Sequence, residues 1–561
     1  MIVPGVAAIR TYQRAWLPKD VIAGLVLASL LIPQGMAYAE LAGLPAINGL
    51  YTSIACLIGY ALIGPSRILV LGPDSSLGPM IAAAILPLMV AGGDPAEAVA
   101  LSSMMALLVA AFMAVGSFAR LGFVADLLSK PTQIGYMNGL ALTILIGQLP
   151  KLCGFSVDAD GLVAEAAGFV QGVQAGEVIP AALAVGLGCL VLMQVLHRWM
   201  PRLPGVLITV VLAMVVAVVF DLAARGVSLV GVLPSGLPPL TIPRVSPQDF
   251  PILVAGALGI AIVSLADTIS TSSAFAARTR QEVDANQEML GLGAANLAAG
   301  LFQGFPVSTS GSRTAVAEGA GARSQLTGVV GAGVIAVTLM FASGLFQYLP
   351  QPTLAAVVIV ASISLADIPA TRRLWRQRHA EFWLSMAAFA GVALLGVLPG
   401  IGIAVALSIL GVFRRAWGPY RAVLGHVEGI DGYHDITRYP EATQLPGLVI
   451  FRFDAPLIFA NAKTFRDEVR ALARTEPPPR WIIVAAEPMT DVDTTAADIL
   501  EALDVELEAA GTKLVFAEMK DVVRQNIETY AMEWLRDREA FYPTIGAAVA
   551  AYLAETGDPA P

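Results

Sequence analysis

Long hydrophobic stretches recur along the first three quarters of the chain, separated by short polar or charged segments. A transmembrane helix needs about 20 apolar residues. Stretches of this kind begin near Val21, Asn48, Ser75, Glu97, Thr132, Val178, Gly205, Pro251, Gln287, Ser310, Gln325, Thr353, Glu381 and Ile401. The pattern predicts fourteen transmembrane segments, an even number that places both termini on the same side of the membrane.

The distribution of basic residues tests this count independently, because cytoplasmic loops carry an excess of Lys and Arg. Residues 1–425 hold 22 of them. With a cytoplasmic N-terminus, only Lys151, Arg225 and Arg244 fall outside, and Arg313 falls within a span. We therefore expect an integral protein of the bacterial inner (plasma) membrane with cytoplasmic N- and C-termini.

Two predicted spans are interrupted by polar and helix-breaking residues. They are Gly72-Pro-Asp-Ser-Ser-Leu-Gly-Pro79 and Phe305-Pro-Val-Ser-Thr-Ser-Gly-Ser-Arg-Thr314, each third in a set of seven. A 7+7 chain of this kind is an inverted repeat, and matched interruptions indicate a transporter site. A helix that begins inside the membrane points free N–H groups and the positive end of its dipole into a cavity, so two such helices favour an anion.

Composition divides the chain into a membrane part and a water-exposed part. The chain is 56% hydrophobic and 14% charged, with a mean hydropathy of +0.72, which excludes an ordinary soluble enzyme. From His426 onward there are 24 acidic and 12 basic residues, and short strand patterns alternate with helical ones. We predict a transmembrane domain over residues 1–425 and a cytoplasmic α/β domain over residues 426–561.

Several motifs together resemble the SulP anion permeases, a family with sulfate and bicarbonate transporters. They include Ile32-Pro-Gln-Gly-Met-Ala-Tyr-Ala39, Gly64-Pro-Ser-Arg67, Asn286-Gln-Glu288 and Ser312-Arg313-Thr314, and the tail resembles a STAS domain. The resemblance covers nearly the whole chain. It implies fourteen helices in core and gate halves, an elevator-like motion and a homodimer.

Arg313 is the basic residue placed within a span, where it could hold an oxyanion through its forked guanidinium. The alternative is a structural ion pair with Glu318 or another buried carboxylate. The resemblance places Ser310, Gly311 and Ser312 in the anion pocket.

Ser75, Ser76 and Leu77 occupy the matching start of the third helix, where the two serines could instead be capping residues. An aspartate beside an anion pocket would repel the substrate, so Asp74 is expected to cap this helix. The resemblance adds Gln34 and Tyr38 of the first span, with plain packing as the alternative for Tyr38.

Asp267, in the eighth span, is a candidate coupling residue, because a carboxylate at membrane depth titrates or binds a cation. The resemblance supports proton or sodium coupling there and adds Thr271 one turn later. Against sodium, Thr309-Ser-Gly311 departs from the order of the sodium-using type. An ion pair of Asp267 with Arg313 is the alternative.

In the tail, Asp493, Thr494 and Thr495 are expected at a helix start. Related anti-sigma antagonists are phosphorylated at this turn, whereas simple capping explains the same residues without a kinase.

The sequence thus predicts a secondary active transporter of a small oxyanion, with sulfate as the leading substrate and proton or sodium symport as the mechanism. Bicarbonate or dicarboxylate transport, anion exchange, a channel, and a membrane sensor acting through the tail remain alternatives. No nucleotide-binding loop, metal site, cofactor, catalytic residue or nucleic-acid surface is predicted. The expected partners are the anion, the coupling ion, the lipid bilayer and a second copy of the chain.

Overall fold

The computed structural model describes residues 5, 11–89, 94–157, 159, 161–200, 203–279, 282–530 and 540–557, without the side chains of residues 125–127, 278, 279, 415 and 528. It divides into two compact units, Met1–Ser408 and Ile409–Pro561.

Each of the fourteen predicted spans is a helix that begins within four residues of the expected position. The helices up to residue 417 are α1 (Leu17–Leu41), α2 (Ala46–Ile63), α3 (Gly78–Ile85), α4 (Pro95–Phe118), α5 (Lys130–Cys153), α6 (Leu162–Ala175), α7 (Pro180–Trp199), α8 (Gly205–Val219), α9 (Phe250–Thr279), α10 (Ala285–Leu301), α11 (Gly311–Gly319), α12 (Leu326–Phe341), α13 (Gln351–Leu365), α14 (Ile368–Gln377), α15 (His379–Leu395) and α16 (Val397–Trp417). Helices α6 and α14 are additional to the predicted spans. In the described part of the chain, seven helices are long and apolar enough to cross a membrane alone. The fourteen-span 7+7 arrangement is confirmed.

The interrupted spans are half-helices. Helix α3 has 8 residues and α11 has 9, so each covers about 12 to 14 Å of a hydrocarbon core about 30 Å thick. A short strand precedes each of them, β1 (Leu71–Gly72) and β2 (Ser308–Thr309), and the two strands pair antiparallel. The matching interruptions of the two repeats therefore meet at one place.

A buried carboxylate ties the first helix to the second repeat. Asp20 is fully buried and accepts hydrogen bonds from the backbone N–H groups of Arg323 (2.7 Å) and Ser324 (3.1 Å), from the Ser324 hydroxyl (2.7 Å) and from the Thr327 hydroxyl (3.1 Å). These donors surround the N-terminus of α12, whose first amides have no partners inside the helix. Asp20 thus fixes the start of α1 to the start of α12.

The second unit is a six-stranded sheet flanked by helices. Its strands are β3 (Arg421–His426), β4 (Tyr433–Asp435), β5 (Leu448–Phe453), β6 (Trp481–Ala485), β7 (Lys513–Ala517) and β8 (Phe541–Tyr542), in the order β4-β3-β5-β6-β7-β8. Strands β5 to β8 are parallel, and β3 pairs antiparallel with β4 and β5. The flanking helices are α17 (Ala462–Ala473), α18 (Thr494–Ala509), α19 (Asp521–Thr529) and α20 (Ile545–Thr556).

Alternate strand residues face two separate cores. Phe451, Phe453 and Ile482 pack with the cluster that contains Phe465 and Leu500, whereas Leu448 and Trp481 pack with the cluster that contains Val549 and Tyr552. The predicted α/β architecture of the tail is confirmed, and β3, β4, β8 and α20 are additional elements.

The predicted domain boundary between residues 425 and 426 falls inside β3, and this position gives a test of the tail as an independent domain. We expect a fragment of residues 418–561 to fold as a soluble, cooperative domain. A fragment of residues 426–561 should unfold at a clearly lower temperature or aggregate, because it loses β3 and exposes the long edge of β5. Circular dichroism melts of the two fragments provide the comparison, and an unfolded longer fragment would contradict independent folding.

Candidate functional site

The two interruptions are held together inside the membrane unit by backbone and side-chain hydrogen bonds. Leu71 pairs with Thr309 and Gly72 with Ser308, and Ser310 N–H donates to the Val70 carbonyl at 3.1 Å. The Thr314 hydroxyl accepts from Val70 N–H (3.1 Å) and donates to the Ser310 carbonyl (2.7 Å). Irregular backbone at membrane depth must be satisfied by protein or water, and these contacts meet that requirement around the bridge.

Asn296 on α10 holds the segment that precedes β2. Its side-chain carbonyl accepts from Val307 N–H at 3.0 Å, and its amide donates to the Val307 carbonyl at 3.3 Å. Asn296 is fully buried, so a substitution there would leave two backbone groups unpaired. The irregular segment before β2 is therefore tied to α10 by two hydrogen bonds.

Arg313 lies across the bridge and joins the two repeats. Its Nη1 donates to the Pro73 carbonyl at 2.6 Å, and its Nη2 lies 3.5 Å from Asp74 Oδ2. A Cβ atom on Gly72 would come within 3.1 Å of Nη1, so a side chain at this position would press against the guanidinium. The guanidinium of the second repeat is thus held over the break of the first.

Several buried donors around the bridge have no acceptor among the described residues. They are Nε of Arg313, the hydroxyl of Ser308 in β2 and the hydroxyl of Tyr136 on α5; Nη2 of Arg313 also makes no hydrogen bond but lies 3.5 Å from its ion-pair partner Asp74. Arg313 is 2% exposed and Tyr136 is fully buried. Buried polar groups in folded proteins nearly always have partners, so these unpaired donors distinguish the bridge from the packed core around it.

The start of α11 supplies further unpaired donors. Ser310 is its N-cap, accepting from Arg313 N–H at 3.4 Å, and the backbone amides of Gly311 and Ser312 have no acceptor in the described part of the chain. Gly311 and Ser312 are exposed. Free amides at the positive end of a helix are suited to a negatively charged group.

The matching residues at the start of α3 are buried rather than open. Ser75, Ser76 and Leu77 are each at most 6% exposed, and the Ser76 hydroxyl and backbone N–H both donate to Asp74 Oδ1, at 2.7 and 2.9 Å. The side of the site formed by α11 is therefore more accessible than the side formed by α3.

The two predicted residues of α1 lie one helical turn apart. Tyr38 is 5% exposed, and its phenol lies close to Ser75, Arg313 and Asp74. Gln34 is half-buried, and its amide makes no hydrogen bond to a described residue. The structure thus brings Tyr38 to the bridge and leaves the Gln34 amide available on the same face of α1.

The candidate coupling residues lie on α9, which packs against β2. Asp267 accepts a hydrogen bond from the Gln133 amide of α5 at 3.1 Å, and Thr268 contacts Thr309 through their hydroxyls at 2.5 Å. A Cβ atom on Gly311 would lie 3.8 Å from the Thr271 hydroxyl, so Thr271 sits beside the start of α11. Asp267 and Thr271 therefore border the site.

One expectation about the charged residues needs correction. Asp74 is not the N-cap of α3, because that position is Leu77; Asp74 instead closes the preceding turn and pairs with Arg313. The structural ion pair that was the alternative for Arg313 is present, with Asp74 as the carboxylate and not Glu318. Asp267 forms no salt bridge with Arg313. The repulsion that an isolated aspartate would exert on an anion is reduced by this pairing.

Sequence reasoning missed Gln133 and Tyr136, the residues by which α5 reaches the site. Both are polar positions within an apolar span, three residues apart and hence on one helical face. Two polar residues on one face of an apolar span were the sequence signal by which these site residues could have been predicted.

In the tail, Asp493 is the N-cap of α18. It accepts from Ala496 N–H at 2.8 Å and, through its second oxygen, from Phe459 N–H at 2.7 Å. Thr494 and Thr495 occupy the first helical positions and are exposed. The capping explanation therefore holds for Asp493.

Comparisons with known proteins agree with these features. The profile described as Sulfate permease family matches residues 17–388, and the STAS domain profile matches residues 439–548. A protein of Mycobacterium tuberculosis strain H37Rv named "Probable sulfate transporter" is 42% identical over 550 residues, which are 98% of each chain. The Arabidopsis thaliana protein named "Sulfate transporter 4.1, chloroplastic" is 31% identical over 96% of this chain and 81% of its own.

Solved structures share the fold. The murine Solute Carrier 26 family member A9 anion transporter in the inward-facing state superposes with a TM-score of 0.91 at 24% identity, over 99% of this chain and 94% of that one. The transmembrane domain of a cyanobacterial bicarbonate transporter superposes with a TM-score of 0.60 at 21% identity, over 70% of this chain and 98% of that one.

Proposed function

Because this chain belongs to the sulfate permease family, we propose that it is a secondary active transporter of a small oxyanion, with sulfate as the first candidate. The names of its sulfate-transporting relatives support this substrate class. Bicarbonate and dicarboxylate are the alternatives within the same site. A transporter of this kind is not an enzyme, and its substrate leaves unchanged.

The unpaired donors at the bridge are the observation that carries the proposal. Nε of Arg313 has no acceptor, its Nη2 is held only by the 3.5 Å ion pair with Asp74, and the amides of Gly311 and Ser312 are free at a helix start beside it. An oxyanion such as sulfate presents several acceptor oxygens, so one ion can accept from the forked guanidinium and from backbone amides together. Gln34 and Tyr38 would complete this pocket from α1.

Asp267 and Thr271 are proposed to couple transport to a proton or sodium gradient. Asp267 receives one amide donor from Gln133, which leaves its other oxygen open to a proton or a cation. Asp267 lies on α9, which packs against β2. Binding of a proton or a cation to its carboxylate would therefore act on the anion site through this contact.

The proposal includes an orientation and an assembly. Both termini are placed in the cytoplasm on the basis of the loop charges, so the outer face is the one at which α1 ends and α2 begins, near residues 42–45. We propose elevator-like alternating access in a homodimer embedded in the bilayer. The predicted domains, residues 1–425 and 426–561, are retained as functional divisions, with β3 assigned to the tail fold.

Uptake of radiolabelled sulfate into proteoliposomes tests the proposal directly. The purified protein is reconstituted, and imposed proton or sodium gradients are compared with none, in the presence of competing bicarbonate or dicarboxylate. Accumulation above equilibrium under one gradient identifies a coupled carrier and its coupling ion. Equilibration without accumulation would favour a channel or an exchanger, and absence of anion transport would contradict the proposal.

Tyr136 provides a test of the pocket that separates ligand binding from packing. Its hydroxyl has no protein partner, so Tyr136→Phe should leave thermal stability unchanged. If the hydroxyl donates to the bound oxyanion, the variant should raise the KM for sulfate about tenfold. Tyr60→Phe is the control, because the Tyr60 hydroxyl donates to Glu288 at 2.7 Å and its loss should lower stability instead. An unchanged KM for Tyr136→Phe would remove this residue from the pocket.

A further inference from the structure

A cavity of about 1200 Å³ lies at the outer face of the membrane unit. It is bounded by the end of α1, the starts of α2, α4 and α13, the end of α5 and parts of residues 230–244. The residues of the paired interruptions do not line it. The cavity is therefore distinct from the candidate anion site.

Charge is segregated between this cavity and the loops around it. The described parts of the outer loops at residues 86–94, 154–179 and 220–249 contain five acidic residues, and none of these five lines the cavity. Of the three basic residues on this face, Lys151 and Arg244 line the cavity, whereas Arg225 does not. Among the described lining residues, the one carboxylate is Glu40. A cationic recess thus opens within an acidic surface.

The two cationic side chains are available to a ligand. Lys151 and Arg244 make no hydrogen bond or salt bridge to a described residue. Lys151 is nevertheless close enough to Glu40 for the two charges to interact, and Glu40 also accepts a hydrogen bond from the Gln351 amide at 3.0 Å. The segment that carries Arg244 is anchored, because Thr241 N–H donates to the Leu301 carbonyl at 2.8 Å and the Gln303 amide donates to the Thr241 hydroxyl at 3.1 Å. Arg244 is therefore presented from a fixed support.

We infer that this cavity is a capture vestibule, which concentrates the substrate oxyanion at the outer face before it reaches the bridge. The identity of the anion rests on the proposed function. Charges of one sign in a recess with walls of low dielectric constant focus the field and raise the local concentration of the opposite ion. Acidic loops outside the recess would repel the same anion, so the contrast directs it to Lys151 and Arg244.

Thiol labelling measures the potential in the cavity without requiring transport. Val232 lines the cavity and is 76% exposed, and Val163, also on this face, is 67% exposed and does not line it. The native Cys56, Cys153 and Cys189 are buried. For each cysteine variant we define the rate ratio as the rate of reaction with an anionic methanethiosulfonate reagent divided by the rate with a cationic one. We expect this ratio to be about fivefold higher for Val232→Cys than for Val163→Cys.

Charge removal identifies the source of this preference. Adding Lys151→Gln and Arg244→Gln to Val232→Cys should bring the rate ratio to the Val163→Cys value, whereas adding the matched control Arg225→Gln should leave it unchanged. If the double variant does not fold, Arg244→Gln alone, in an exposed side chain, should lower the ratio partway. Equal ratios at the two cysteines, or a ratio insensitive to Lys151 and Arg244, would overturn the inference.

Kinetics of sulfate uptake from the outer face then test capture. The Lys151→Gln and Arg244→Gln double variant should raise KM about three- to tenfold with kcat unchanged, and the difference should shrink at high ionic strength. Arg225→Gln should retain the parent KM, and equal KM values for both variants would overturn the capture role. If the parent protein transports no sulfate, the proposed function fails, while the labelling ratio still decides whether the cavity concentrates anions.

Discussion

Replacement of Ser312 by glutamate should reduce oxyanion uptake to background in a protein that still folds. Ser312 is exposed at the start of α11, beside the free amides of residues 311 and 312. A carboxylate there would lie at the positive end of the helix dipole, and this interaction stabilises the helix. It would also repel a bound anion by about 4 kcal/mol per unit charge at 4 Å and an effective dielectric constant of 20, equivalent to roughly a thousandfold in affinity.

Ser312→Gln is the matched control, since glutamine has the same shape without the charge. We expect this variant to retain part of the uptake, so that the difference between the two measures the electrostatic effect alone. Reconstituted uptake and size-exclusion profiles of both proteins provide the measurement. Normal uptake by a correctly folded Ser312→Glu protein would refute an anion pocket at the start of α11.

Asp267→Asn should abolish gradient-driven accumulation while leaving the protein stable. The substitution keeps the size of the side chain and an acceptor for the Gln133 amide but removes the titratable charge. Arg313 is not left without a carboxylate, because its partner is Asp74. Exchange of labelled for unlabelled anion should persist, since it does not require net movement of the coupling ion.

Asp74→Asn distinguishes coupling from structural pairing. Removal of the carboxylate beside the buried Arg313 should cost about 3 to 5 kcal/mol, the usual effect of breaking a buried ion pair from one side. Thermal unfolding and accumulation under an imposed gradient are measured for both variants. A stable Asp267→Asn protein that still accumulates anion under the same gradient would eliminate the coupling role of Asp267.

The positions of the fourteen spans could be predicted because hydrophobic length is a local property of the sequence, whereas the orientation inferred from loop charge stays a prediction. The two half-helices were also recognisable, since proline, glycine and serine interrupt otherwise apolar runs at residues 72–79 and 305–314. In the tail, the buried strands β5, β6 and β7 gave continuous apolar runs. Strand β3 was missed because it follows directly after α16, where its short pattern merges with the end of the last span.

The contacts between side chains could not be predicted from local sequence patterns. Arg313 and Asp74 are 239 positions apart, and only the meeting of β1 and β2 brings them together. The Gln133 contact to Asp267 likewise depends on α5 packing beside α9. Sequence reasoning therefore identified Arg313 and Asp267 as chemically unusual, and the folded arrangement was needed to assign their partners.

The two-residue bridge between β1 and β2 also restricts how this sequence can change by insertion and deletion. A shift of one residue in either strand would turn its side chains to the opposite face and move Arg313 away from Pro73 and Asp74. The numbers of residues from Gly72 to Gly78 and from Ser308 to Gly311 are thus fixed by register. The connection over residues 220–249 carries no such pairing with the bridge, so length variation among descendants of this chain should accumulate there.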